Sequence, residues 1–248
     1  MDSVQQAQVQ FEQTFTKYAP FLTEIRKRLL FTLSIFLITL TIGFIYSDAI
    51  IRTLFKMFHI HGVNIVFTSP FQFINLSVSV AFLVGVVIVF PLLLFQIISF
   101  LKPALSSHEY KAVLCLLPIS ILLFLIGAGF GLIVMRYVVM TFYEQSIKLN
   151  IGNFLDISHL LSQILTIAIL LGLAFQFPIL LTVLLRLKFI KHRSLVKKRL
   201  WVYALSAMFA ALLPPADLPS TIFYFLPLVL LFEFTMLLNK WILKTHLL

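Results

Sequence analysis

Residues 71–99 read FQFINLSVSVAFLVGVVIVFPLLLFQIIS, and no charged side chain interrupts them. A bilayer core about 30 Å thick needs roughly 20 apolar residues to cross as a helix, so this run is long enough. Its apolar residues are continuous rather than alternating, which excludes a barrel strand. In hydrocarbon the backbone must bond to itself, and a helix does that within one segment. The stretch is read as a membrane-crossing helix.

Five further runs resemble it, at 29–46, 112–134, 157–186, 200–213 and 221–238. The whole chain is 61% hydrophobic and 11% charged, with mean hydropathy +1.06; a soluble domain is nearer half apolar and a quarter charged. The expectation is an all-α integral membrane protein with six transmembrane helices, one membrane domain over 1–248 and a polar cytoplasmic tail at 1–20. Residues 200–213 span only about 21 Å as a helix, so the last two helices are read as short. Pro91, Pro118, Pro178 and Pro227 fall within apolar runs. Proline removes a helical donor and bends the segment, which predicts a kinked, concave bundle. GAGFG at 127–131 sits inside a membrane helix, where small residues serve close helix packing.

The formal net charge is +10, and its distribution marks topology rather than a nucleic-acid surface. With the N-terminus inside, only Arg52, Lys56, Arg136 and Lys148 of the 19 bases fall outside. That asymmetry predicts an N-in, C-in orientation. The first 28 residues carry Asp2, Glu12 and five Gln without an apolar core, so they are not read as a cleavable signal. Cys115 is the only cysteine, which excludes an intramolecular disulfide. His59 and His61 lack a third nearby ligand, and a loop is expected there rather than a metal site. HExxH, GxSxG, GxxxxGK[ST] and CxxC are absent, so neither catalysis nor a cofactor is expected.

What remains is a set of polar side chains in costly places. Glu24 lies in FLTEIRKRLL (21–30), among Arg26, Lys27 and Arg28. It can pair with Arg28 at i,i+4, or it can be a positioned acid. Glu109 ends SSHE (106–109), which fits a capping box with Ser106 at N-cap. A carboxylate so held also stays ionised and suits guanidinium docking. Gln176 and Glu233 sit in helices four and six, where polar groups face a bundle interior or bond across helices.

These stretches together resemble the TatC family, the multispanning receptor of twin-arginine protein translocases. FLTEIRKRLL is similar to the family's HLxELRxRL. FPLLLFQIISFLKPALSSHE (90–109) is similar to P-x3-YQ-x3-F-x2-P-x-L-x3-E, LGLAFQFP (171–178) to FGxxFExP, PPADLPS (214–220) to TPPDxxS, and LPLVLLFE (226–233) to the helix-six P-x4-[YF]E. Phe21 replaces a usual His, Ser106 a Tyr, Tyr110 an Arg, Gln176 a Glu and Thr221 a Gln; the turn has lost its Thr. The resemblance implies that Glu24 and Glu109 read two consecutive arginines on a folded cargo's signal peptide. Arg26, Arg28, Phe100, Pro103 and Leu105 would line that site. It implies contacts by Gln176, Asp217, Thr221 and Glu233 within the membrane or with single-span TatA-type and TatB-type partners. It also implies self-association and use of the proton-motive force in a bacterial plasma membrane or an organellar one. A small-solute transporter would instead predict midplane charges and internal repeats. A structural assembly subunit would leave both glutamates as capping and pairing groups.

Overall fold

The computed structural model describes residues 2–58, 64–66, 69, 71–102, 105–148, 154–187, 189–190 and 192–245. His59, His61 and Pro103 lie outside the described residues. Among those described, α1 covers Asp2–Ile45, α2 Ser47–Phe58, β1 Asn64–Val66 and α3 Phe71–Leu101. α4 (Ser107–Leu114), α5 (Leu116–Lys148), β2 (Phe154–Asp156), α6 (Ile157–Ala174), α7 (Phe177–Arg186), α8 (His192–Lys197), α9 (Arg199–Leu212) and α10 (Leu218–Thr245) follow. Among the described residues, five segments are long and apolar enough to cross a membrane: Leu22–Ile45, Phe71–Phe100, Tyr110–Gln145, Ser158–Arg186 and Leu218–Lys240. The sixth, α9, is shorter, as read from sequence.

Two expectations need correction, the end of the third span and the length of the last helix, and two features add to the reading. The polar tail at 2–20 is helical and continuous with the first span; its Gln, Glu, Lys and Ala are good helix formers. The third span runs on to Lys148 rather than ending near 134. The last helix is not short, since α10 has 28 residues and begins immediately after Asp217. A parallel pair, Asn64↔Phe154 to Val66↔Asp156, ties the two connecting segments at the end remote from Glu24.

The prolines act in two ways. Pro91 and Pro227 sit inside continuous helices. Pro118 and Pro178 go further and separate helices. Pro118 has no N–H for the carbonyl of Leu114, and α4 ends at Leu114. Pro178 likewise cannot serve Ala174, where α6 ends, and it stands in the first turn of α7. The two breaks lie side by side, because Ser120 of α5 bonds Gln176.

α6 and α7 form the central pillar, and their span is the most buried of the five. Gly127 and Gly131, one turn apart on α5, face α6: a Cβ on Gly131 would lie 3.0 Å from the Cα of Ala168, while Gly129 faces open space. The small-residue motif thus serves close packing. One buried cluster fills the end remote from Glu24, with Leu76, Val80, Leu161, Ile164, Leu171 and Tyr224 at its centre. A smaller one, Leu181, Leu185, Leu195, Phe232 and Met236, lies at the Glu24 end. α1 is peripheral and leans on α3, where Phe36 meets Phe82 edge-to-face at 5.7 Å.

Candidate functional site

At the Glu24 end, α1 crosses the last turns of α3. The Glu24 carboxylate is about half-exposed, at 46%. Its partner is the one the spacing allows, Arg28, through Nη2 and Oε1. The guanidinium does more than pair along its own helix. Its Nη1 donates to the Gln96 carbonyl at 2.7 Å, and its carbon lies 5.6 Å from the Phe100 ring centre. Thr32 donates to the Gln96 side-chain oxygen at 3.0 Å. Beside this joint opens a cavity of about 450 Å³, lined by Glu24, Lys27, Arg28, Phe31, Phe95, Gln96 and Ser99. Arg26 is exposed on the same helix.

Glu109 reaches this end by a different route. α3 stops at Leu101, and α4 starts at Ser107. Tyr110 N–H donates to the Ser106 carbonyl at 2.9 Å, the first helical bond expected of an N-cap at Ser106. Glu109 is therefore in the first turn of the next helix after α3. Lys102 Nζ lies 5.7 Å from the Tyr110 ring centre, and half-buried Leu105 donates its N–H to Lys102 at 3.3 Å. The side chain of Glu109 and all of Pro103 lie outside what the structure describes.

Gln176 and Glu233 each have an internal partner. Gln176 exchanges hydrogen bonds with Ser120, accepting from its hydroxyl and donating to its carbonyl at 3.1 Å. Both border an apolar cavity of about 290 Å³, walled by α3, α5 and α7, with Leu94, Leu117 and Leu180 among its sides. Glu233 accepts from the Tyr203 hydroxyl at 2.5 Å and lies 3.5 Å from Arg199. At the remote end, Thr221 N–H donates to the Asp217 carbonyl at 3.0 Å. The buried Oδ1 of Asp217 and the Ser220 hydroxyl have no partner among the described residues. Among those residues no cluster of three His, Cys, Asp or Glu could hold a metal.

Gln96, Ser120 and Tyr203 were not singled out in sequence. Gln96 could have been, since a lone amide in an apolar helix carries the same signal as Gln176. The partners of Gln176 and Glu233 lie 56 and 30 residues away, beyond any local pattern.

His192 opens α8, outside the spans. Burial holds its pKa below the usual 6.5, and Lys240 and Arg199 lower it further. A folded pKa below the unfolded one means that the unfolded chain takes up the proton first, so stability is lost as pH falls below about 6.5. Thermal unfolding of the wild type between about pH 5 and 8 should show this acid-side loss, and His192→Gln should flatten it. An unchanged slope in the variant would refute the assignment.

The family described as Sec-independent protein translocase protein (TatC) matches residues 20–227. The chain is 32% identical over 225 residues to the Sec-independent protein translocase protein TatCy of Bacillus subtilis, covering 88% of this chain and 87% of the other. It is 29% identical to Aquifex aeolicus TatC over 223 residues, 88% and 92% of the two chains. A crystal structure of the twin-arginine translocase receptor TatC in DDM superposes with a TM-score of 0.78 at 29% identity, covering 88% of this chain and 98% of that one.

Proposed function

The chain belongs to the TatC family of Sec-independent protein translocase proteins, and from that premise we propose that its Glu24 end receives the arginines of a twin-arginine signal peptide. As a member of that family it is a multi-pass membrane component of the twin-arginine translocase, a receptor and not an enzyme.

The observation that carries the site reading is a half-exposed carboxylate on the wall of an open cavity, at the end where the basic residues gather. With the positive-inside asymmetry this end faces the cytoplasm, where cargo waits. Glu24 supplies one carboxylate and Glu109, in the first turn of α4, the second. A planar guanidinium can take a carboxylate with two parallel N–H bonds and a ring by stacking; an ammonium offers only a point charge. Arg26, Phe100, Pro103 and Leu105 border the peptide. Its apolar stretch follows the groove between α3, α5 and α7, past Gln176. Asp217 and Thr221 at the remote end, with Glu233 on α10, meet TatA-type and TatB-type single-span partners. The complex self-associates and draws on the proton-motive force. The single domain over 1–248 acts as one receptor body.

The test is binding of a labelled twin-arginine signal peptide to the full chain in lipid nanodiscs, against the same peptide with Lys–Lys. The Arg–Arg peptide should bind at least about tenfold more tightly, some 1.4 kcal/mol. Equal weak binding of both would favour the structural subunit, whose glutamates only cap and pair.

A further inference from the structure

Glu24 is not waiting empty. The guanidinium of Arg28 already meets a carboxylate at Glu24, a main-chain carbonyl at Gln96 and an aromatic ring at Phe100. These are the three kinds of group that select arginine over lysine: a charged acceptor, a second oxygen acceptor for another N–H of the fork, and a π face. An ordinary i,i+4 pair on a solvated helix needs none of the contacts to α3. The seat also borders the 450 Å³ cavity, so an arriving side chain can reach it without unpacking the bundle.

We propose that Arg28 is a resident occupant of the guanidinium seat at Glu24, and that a signal-peptide arginine enters by displacing it. The inference rests on the receptor reading above and changes the role of Arg28 from lining residue to internal competitor. The exchange conserves charge. One guanidinium leaves the carboxylate as another arrives, so Glu24 never faces the groove unpaired. It also sets a threshold, because a ligand must offer Glu24 more than Arg28 does, and a stray cation in the cytoplasm does not.

Competition predicts a gain where direct contact predicts a loss. In the full chain in nanodiscs, Arg28→Gln should tighten binding of the twin-arginine peptide about three- to tenfold, the range for losing a partly exposed charge pair with its ring contact. The same occupant opposes every ligand, so the Lys–Lys peptide should gain by the same factor and the ratio of the two affinities should hold. Arg28→Lys keeps the charge but loses the fork and the stacking; it should give a smaller gain in the same direction. Lys27→Gln removes a neighbouring charge without emptying the seat and should give less than Arg28→Gln. Methylguanidinium should compete with the peptide more effectively in Arg28→Gln than in the wild type, because the seat is vacant there. Monodispersity and melting temperature report whether each variant is folded.

Weaker peptide binding in folded Arg28→Gln and Arg28→Lys would overturn the inference alone, leaving Arg28 as a contact or a support for Glu24. An equal gain in Lys27→Gln would also overturn it, as a field effect. Absence of wild-type binding to the Arg–Arg peptide would remove the receptor reading and this inference with it.

Discussion

Glu24→Gln is expected to weaken twin-arginine peptide binding about 10- to 100-fold. The amide keeps the shape of the carboxylate but loses its charge, and a charge-assisted hydrogen bond contributes about 1.5–3 kcal/mol. The half-exposure of Glu24 places the loss toward the lower half of that range, since solvent screens the pair. The substituted amide also turns an N–H toward a ligand that has only donors. Glu109→Gln should cost a similar factor. If the two acids each hold one arginine, the double variant should lose roughly the product of the two factors, because separate contacts add. A double variant no weaker than Glu24→Gln would mean that both acids act on one guanidinium. Unchanged binding in both single variants would remove the paired-acid reading. The sign opposes that expected for Arg28→Gln, so the two substitutions within one turn of α1 divide ligand from competitor.

Gly127→Ala should cost about 1–3 kcal/mol of stability, the usual range for forcing a methyl group into a filled core. The added Cβ would lie 2.6 Å from Phe175 Cγ and 2.7 Å from the Leu171 carbonyl. Phe175 cannot yield easily, since it is buried and its ring lies 6.0 Å from that of Phe130. The Leu171 carbonyl belongs to the pillar itself. Gly129→Ala, two residues along, meets nothing within 4 Å and should be neutral. Melting temperatures of both variants in one detergent give the comparison. Equal melting of the two would mean that α5 and α6 can separate slightly at no cost, against the close approach described.

The helices were legible because each had to be apolar over a membrane's thickness, and that is a local property of sequence. GAGFG was legible for the same reason, as small residues inside a lipid-bound helix have few uses. The Glu24–Arg28 pair follows from helical spacing alone. The outer elements were hidden. β1 and β2 have three residues each and sit about ninety residues apart, so no local alternation marks them. α2 lies in a segment too short and too charged for hydropathy to separate it from a loop. Hydropathy ends α5 too early because Arg136, Tyr143 and Glu144 lower it without breaking the helix. At the proposed site, Glu24 and Glu109 stand out in the sequence as acids on the basic face, and Phe100 enters only through the family resemblance. The engagement of Arg28 with Gln96 and Phe100 was not, because it depends on how α1 crosses α3.

The adjacent breaks at Pro118 and Pro178 divide the molecule by stiffness. Above them, α3, α5, α6 and α10 share the larger buried cluster, and Gly127 and Gly131 lock α5 to α6. Below them, α4, α7 and α8 are 8, 10 and 6 residues long, too short to hold themselves without packing. Pro118 and Pro178 offer no N–H to the carbonyls of Leu114 and Ala174 there. Amide exchange should be fast in the lower tier and slow in the upper one. For the proposed receptor, slow exchange above and fast exchange below would mean a rigid frame with a compliant mouth, one that reshapes around different peptides presenting the same two arginines.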